Sequence, residues 1–250
     1  MTYKIGILSI TSLVFMSGCF SLSTPEVAEK EANFSQEEIA ASADQLPASN
    51  AEIGLAEQLR AQTNLYEINK KDLSRKQRDH MIGAVNALQS QNIADGLSKV
   101  AAAEALGTLT SASYVVKADL LMANDDTQAA KQALEQSLAV NPYNPKAANR
   151  LATRYREEGQ FETALEYYTR AIKAVPMYAP SYRNRGILND LYLLDKVSAI
   201  EDYETYSALL EYENVELQSK DVEKSIKLVK RWIVDVDRQL QRIVSNSNGL

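Results

Sequence analysis

Side chains that could carry acid–base, nucleophilic or metal chemistry are few in this chain of 250 residues. His80 is its one histidine and Cys19 its one cysteine. A zinc cage of several Cys and His ligands and an internal disulfide therefore cannot form, and a Cys–His dyad would require these two residues to meet. The sequence also lacks a glycine-rich phosphate loop, a serine elbow and a His-Glu metal motif. We expect a protein that is not an enzyme and that holds no metal or cofactor.

Carboxylates are the remaining candidates for catalysis. Asp125-Asp126 and Glu157-Glu158 are adjacent pairs, but neighbouring residues on a helix do not face each other. Both pairs stand where turns between helices are expected, so we interpret them as turn and cap residues. An enzyme acting on peptidoglycan or carbohydrate through two converging carboxyls, on a helical scaffold, stays the alternative.

The composition indicates helices and argues against a nucleic-acid partner. The 33 acidic residues outnumber the 27 basic residues and give a net charge of −6, which does not attract a polyanion. Alanine is abundant, whereas the chain has only 9 glycines and 6 prolines. This bias favours helix over strand and predicts an all-α protein.

The first 18 residues have the layout of a signal peptide. Lys4 precedes an uncharged, largely apolar stretch, Ile5 to Met16, which is shorter than the roughly 20 residues of a membrane-spanning helix. Met16-Ser17-Gly18-Cys19 resembles the bacterial lipobox, a resemblance that implies lipidation of Cys19 (palmitate among its acyl groups) and cleavage before it. An ordinary secretory signal with an incidental cysteine is the alternative.

The resemblance to bacterial lipoproteins also suggests a location. Phe20 follows the cysteine, where a lipoprotein kept in the inner membrane would have aspartate. This implies a lipid anchor in the outer membrane, facing the periplasm. Residues 19–49 then form an acidic flexible tether, because six acidic side chains oppose one lysine, Lys30, in a stretch with little apolar surface to bury.

A 34-residue period organises the rest of the chain. Pro142 and Pro176 keep that interval, and three series of small residues keep it as well. The series are Ala84, Ala118, Ala152 and Gly186; Gly96, Ala130 and Ala164; and Ala103, Ser137 and Ala171. Each series predicts a place where two helices approach closely. His80 falls on the same register as Tyr114, so we expect it to pack between helices.

This pattern resembles the tetratricopeptide repeat family, in which each unit is a pair of antiparallel helices. The best copy is 145–178, with Leu151, Ala152, Tyr155, Gly159, Phe161, Ala164, Tyr168, Ala171 and Pro176 at family positions. A second copy is 111–144, in which Asp125 or Asp126 is suited to cap the second helix. A third begins at Ala179 with an extra residue expected near Asp195, and 77–110 is a degenerate first unit.

The resemblance implies a helical solenoid of three clear repeats plus one degenerate repeat. We assign residues 50–110 to N-terminal helices with the degenerate repeat, residues 111–213 to the clear repeats, and residues 214–250 to a C-terminal capping helix and tail. In that last segment an apolar stripe recurs at helical spacing: Val222, Ile226, Val229, Ile233, Val236 and Leu240. A weak dimer through this stripe, with Trp232 at its border, is the alternative to capping.

Residues on the opposite face of the same helix are basic: Lys220, Lys224, Lys227 and Arg231. A solvated face is the simple interpretation, and contact with anionic lipid is the alternative.

The resemblance also implies a protein-binding groove lined by the first helix of each pair. Its expected contact residues are Val115, Asp119, Met122, Lys146, Asn149, Thr153, Arg156, Arg183, Ile187 and Asp190. Tyr167, Tyr178 and Tyr192 are further candidates.

Lipoproteins of similar architecture act as pilotins or as envelope adaptors. We therefore expect a non-enzymatic scaffold that binds periplasmic or outer-membrane proteins, with pilus or secretion assembly ranked first and a peptidoglycan hydrolase adaptor second.

Overall fold

The computed structural model describes residues 54–247, and the predicted signal peptide, the lipidation site Cys19 and the tether lie outside the described residues. Within this range every regular element is a helix. The helices are α1 (Leu55–Arg60), α2 (Leu65–Ile68), α3 (Arg75–Gln89), α4 (Ile93–Glu104), α5 (Ser111–Ala123), α6 (Thr127–Val140), α7 (Pro145–Glu157), α8 (Phe161–Ala174), α9 (Ala179–Leu188), a π-helical turn (Asn189–Leu193), α10 (Lys196–Leu217) and α11 (Lys220–Ser247).

Four antiparallel helix pairs follow one another: α3–α4, α5–α6, α7–α8 and α9–α10. The all-α solenoid is thereby confirmed, and residues 75–104 form a full helix pair at the position of the degenerate repeat. None of the helices in residues 54–247 combines the length and the hydropathy that a bilayer crossing requires.

The turn inside each pair repeats one backbone conformation. Gln91, Asp125 and Gly159 take positive φ values of 58°, 61° and 76° at the 34-residue interval. This left-handed conformation suits glycine best and is tolerated by aspartate. Asp125 therefore supplies the left-handed turn residue between α5 and α6, where Gly159 stands between α7 and α8, while Asp126 accepts a hydrogen bond from the Ala129 N–H and caps α6.

The small residues of the period lie where helices touch. Ala84, Ala118 and Ala152 on the first helices are fully buried, as are Ala130 and Ala164 on the second helices. At Gly96 an added Cβ would lie 2.4 Å from a side-chain carbon of Leu120. The Leu120 side chain of α5 therefore fills the space that a Cβ on α4 would take, in line with the reason inferred for the spacing.

Replacing Ala164 by leucine tests this packing. Ala164 is buried between Ala152, Tyr168 and Leu188, so three extra carbon atoms have no space. We expect the free energy of unfolding to fall by about 1–3 kcal/mol, measured by chemical denaturation. A melting temperature equal to that of the wild type would contradict the assigned contact.

The extra residue of the fourth pair, α9–α10, which is the third clear repeat, lies in the helix, ahead of the predicted position near Asp195. Asn189–Leu193 form a π-helical turn that continues α9, and Leu194 then takes a left-handed φ of 58°. A π turn accommodates one more residue than an α turn and is common at functional sites. The insertion therefore changes which side chains the end of α9 presents, and it moves the start of α10 one residue later than the 34-residue period predicts.

Asp195 caps α10, and its charge should give the stability a pH dependence. Its carboxylate accepts hydrogen bonds from the Ser198 hydroxyl and the Ser198 N–H, and these hold the pKa of Asp195 below the ordinary value of 3.8. We expect Asp195→Ala to cost about 1 kcal/mol at neutral pH. Since the native pKa is depressed, the difference from wild type is greatest above pH 3.8 and shrinks as the pH falls through the native pKa, because the protonated side chain keeps a capping oxygen without the charge.

Asp195→Asn is the control, because asparagine keeps a capping oxygen without the charge. Denaturant titrations at neutral pH and below pH 3.8 should show a small loss for this variant at neutral pH that also shrinks in acid. A constant difference between wild type and Asp195→Ala across that range would refute the role of the charge.

Residues 54–74 form an N-terminal strap that lies outside the repeat pattern. Ala56 of α1 is buried against Tyr182 of α9 and Leu209 of α10, and Arg60 hydrogen-bonds to the Tyr212 hydroxyl. Farther along, the side-chain amide of Asn141 donates to the Tyr66 carbonyl at 3.2 Å. The strap therefore contacts the fourth helix pair, α9–α10, first and the turn between the second and third helix pairs afterwards.

The C-terminal helix α11 packs along α10, which itself extends to Leu217, past the predicted boundary at 213. Val229 and Val236 of the apolar stripe are buried with Ala199 and Tyr203. Lys230 of α11 is 2.7 Å from Glu211 of α10. The stripe thus covers the last helix pair, as the capping interpretation expects, and the basic residues of the opposite face are exposed.

Candidate protein-binding groove

The first helices α3, α5, α7 and α9 are neighbours in space, and polar side chains cross from one to the next. Asp119 on α5 accepts a hydrogen bond from the Arg150 guanidinium on α7 at 2.7 Å, and the shortest distance of this ion pair is 2.6 Å. Burial raises the pKa of Asp119 and the guanidinium opposes that rise. Tyr178 lies beside this ion pair, and burial raises the pKa of its hydroxyl.

On α5, the residues expected to contact a ligand are mostly in contact with other residues of this protein. Val115 is only 4% exposed and packs with Ala118 and Leu151 in the core. Met122 is half-buried against the same core. Asp119 is held by Arg150. Val115 therefore supports the groove from beneath and presents almost no surface to a ligand.

The middle of the groove is polar and internally hydrogen-bonded. The Asn149 side-chain oxygen accepts from the Ser181 hydroxyl at 3.2 Å and from the Asn184 amide at 3.1 Å, which ties α7 to α9. Thr153 hydrogen-bonds to the Tyr168 hydroxyl. Lys146 at the start of α7 is exposed. The middle of the groove therefore combines the exposed charge of Lys146 with polar residues whose hydrogen bonds link neighbouring helices.

Arg156 and two of the candidate tyrosines lie around the turn side of α7 and α8. The Arg156 guanidinium carbon is 5.9 Å from the centre of the Tyr192 ring, and that ring lies 5.0 Å from the ring of Phe161. Tyr167 stacks on Tyr155 at 5.3 Å. These tyrosines are engaged with neighbouring side chains and keep partly exposed edges.

The C-terminal end contains an open cleft of about 340 Å³. Three of the predicted groove residues, Arg183, Ile187 and Asp190, line it on α9 and the π turn, together with Leu191. The opposite side comes from α10 and α11 and consists of Tyr203, Trp232, Asp235, Val236 and Gln239. The capping helix therefore extends the groove and forms one wall of this cleft.

The π turn shapes one side of this cleft. Asp190 is 8% exposed, and its carboxylate lies 2.6 Å from the Lys196 ammonium group and accepts a hydrogen bond from the Tyr203 hydroxyl at 3.5 Å. Burial raises the pKa of Tyr203, and the charge of Asp190 adds to that rise. The next residue, Leu191, is 62% exposed and projects toward solvent at the cleft.

Beneath the cleft, a buried ion pair joins α9 to α10. The Arg185 guanidinium donates to both carboxylate oxygens of Asp202 at 2.7–3.2 Å, and Asn189 of the π turn donates to the same carboxylate. Burial raises the pKa of Asp202, and the hydrogen bonds from Arg185 oppose this. Burial also raises the pKa of Tyr182 to about 12. These buried contacts fix α9 relative to α10.

The cleft residues contributed by α11 were not in the predicted groove set. The pattern placed Trp232 at the border of the apolar stripe, which was a usable signal, since a Trp at such a border faces both the neighbouring helix and the adjacent surface. Trp232 is half-buried, 5.6 Å from the Tyr203 ring, and the Arg183 guanidinium lies 5.8 Å over its face.

Within residues 54–247 no group of three or more Cys, His, Asp or Glu side chains is arranged to hold a metal ion. His80 is half-buried on α3, consistent with packing between helices.

The two carboxylates at the cleft, Asp190 and Asp235, each have a cationic partner, Lys196 and Arg238 respectively. The geometry of this face is suited to binding a polypeptide.

The stacked pairs and their shared turn make the protein an all-α solenoid of the tetratricopeptide-repeat type, a scaffold suited to protein–protein interaction. Two overlapping stretches, residues 115–179 and 149–189, match the tetratricopeptide repeat family. No curated protein matches the sequence significantly.

Several solved structures are similar in fold at low identity. MamA is 19% identical, with 65% of this chain and 86% of that chain covered and a TM-score of 0.45. The Sgt2 TPR domain from Aspergillus fumigatus is 23% identical, with coverage of 51% and 82% and a TM-score of 0.40. The first TPR of Spaghetti (RPAP3), bound to an HSP90 peptide, is 18% identical, with coverage of 50% and 96% and a TM-score of 0.40.

Proposed function

We propose that this protein is a lipid-anchored scaffold whose repeats bind periplasmic or outer-membrane proteins during assembly of the cell envelope. The observation that carries the binding function is the cleft at the C-terminal end of the groove. It joins an apolar floor to charged residues at its edge and is open to solvent, as a site for a polypeptide segment requires. Pilus or secretion assembly is the first candidate pathway, and a peptidoglycan hydrolase adaptor is the second.

The proposal of a non-enzymatic role is supported by the state of the carboxylates. A glycoside-cleaving site would need two carboxyls that flank a sugar, one to donate a proton and one to act on the ring. At the cleft, Asp190 is committed to Lys196 and Tyr203. Asp190 is therefore not available to a substrate, and the reaction lacks the second carboxyl that it would need beside Asp235. A binding role accounts better for these residues.

The proposed anchor is tested with Cys19→Ser. Because the acyl chains would be attached to Cys19, we expect the variant to leave the membrane fraction as a soluble or uncleaved form. Immunoblotting of separated membranes and periplasm measures this, with Ser17→Ala, which keeps the cysteine, as the control. Unchanged outer-membrane fractionation of Cys19→Ser would contradict the anchor.

The scaffold function is tested by photo-crosslinking in cells. A photoreactive residue at Lys146 would stand on the exposed rim of the groove, and the same residue at Glu166, exposed on α8, serves as the control. We expect an exported envelope protein, identified by mass spectrometry, to be captured several-fold more at position 146. Equal capture at both positions, or capture of cytosolic proteins alone, would refute the proposed function.

A further inference from the structure

The cleft at the C-terminal end of the groove is unevenly charged, and this indicates what it binds. Among the charged residues that line it, Asp190 pairs with Lys196 and Asp235 pairs with Arg238. Within residues 54–247, Arg183 has no carboxylate within ion-pair distance. Its guanidinium lies over the face of Trp232, so its hydrogen-bonding edge is available to an incoming anion.

The floor of the cleft is apolar. Ile187 and Val236 pack there with Trp232, and the Tyr203 ring closes the base. Leu191 adds a largely exposed aliphatic side chain at the same cleft. A large apolar side chain placed on this floor would cover Ile187, Trp232 and Leu191 together and remove their surface from water.

Resting on the proposed scaffold function, we propose that the cleft binds an extended partner segment in which a large apolar residue stands next to an acidic residue. The apolar side chain lies between Leu191 and Trp232. The neighbouring carboxylate receives hydrogen bonds from Arg183. A basic segment is disfavoured, because Arg183 would repel it and each carboxylate at the cleft already has a cationic partner.

Selection from a peptide library tests this directly. A displayed library of random twelve-residue peptides is panned against the full chain in detergent micelles, and the enriched peptides are sequenced. We expect enrichment of Leu, Ile, Phe or Trp next to Asp or Glu. Failure to enrich that pairing, or enrichment of Lys and Arg in its place, would overturn the proposal.

Binding to the cleft is then measured through Trp232, the one tryptophan in the chain. Its fluorescence is titrated with the selected peptide. Arg183→Gln should weaken binding about tenfold through loss of a charge-assisted contact, and the peptide's own acid-to-amide variant should lose as much. Arg231→Gln is the matched control, because Arg231 is exposed beside Trp232 in sequence and does not line the cleft.

The apolar contact has its own pair of variants. Leu191→Asn should weaken binding severalfold, whereas Leu194→Asn should not, because Leu194 is 70% exposed in the same turn and does not line the cleft. Affinity unchanged by both Arg183→Gln and Leu191→Asn would overturn the proposal. Capture of an envelope protein at Lys146 together with that result would leave the scaffold function intact and reject only the assigned site.

Discussion

Replacing Tyr168 by alanine is expected to lower the free energy of unfolding by about 3–5 kcal/mol, the usual range for an aromatic side chain removed from a core. Tyr168 is fully buried, and it contacts Ala152 of α7, Ala164 of α8 and Leu188 of α9. Its loss would leave a cavity where three helices meet, including the helix that carries Arg183 and Ile187. Equilibrium denaturation in urea measures the effect.

Tyr168→Phe separates packing from hydrogen bonding at the same position. The ring stays, and only the 3.0 Å hydrogen bond to the Thr153 hydroxyl is lost, so a cost of about 1 kcal/mol is expected. Similar losses for the alanine and phenylalanine variants would show that the ring does not fill the space assigned to it.

Asp202→Ala is expected to cost about 3 kcal/mol, because it leaves the Arg185 guanidinium without its carboxylate. The Asp202 side chain is 4% exposed and that of Arg185 is 23% exposed, which places the effect at the lower end for buried pairs. The loss would also release Asn189 of the π turn. We therefore expect binding at the cleft to weaken along with stability, measured by Trp232 fluorescence and by urea denaturation.

Two comparisons make the Asp202 prediction specific. Asp119→Ala removes a similar arginine pair in which both side chains are more exposed, 37% for Arg150 and 26% for Asp119, and it should cost less than about 1 kcal/mol. Arg185→Met combined with Asp202→Leu should restore much of the stability, since no charge is then left buried. A double variant no more stable than Asp202→Ala would argue against an unpaired guanidinium as the cause.

The helix pairs could be predicted from sequence because their causes are local and repeated. Ala118 and Ala152 recur at 34 residues since each must let two helices approach, and the same cause acts in every unit. Asp126 could be foreseen as a cap because its partner is three residues away. The binding groove on the first helices, which the family resemblance implies, stays a prediction.

Contacts between distant residues could not be predicted in this way. Asn141 bonds to Tyr66 across 75 positions, and no periodic signal marks the strap, which is not a repeat. The pairing of Asp119 with Arg150 could not be predicted either. The sequence pattern of a charged residue on a helix face is the same whether that residue contacts a ligand or the next helix.

The fourth helix pair, α9–α10, separates what the sequence determines from what the tertiary structure determines. The sequence by itself determined that one residue is inserted there, because the register of Ala199 and Tyr203 is shifted by one. Only the tertiary structure decided that the insertion becomes a π turn, with Asp190 held by Lys196 and Leu191 turned outward. An extra residue can be absorbed by a turn or by a helix, and in the helical form seen here Asp190 is buried beside its partner Lys196 of α10.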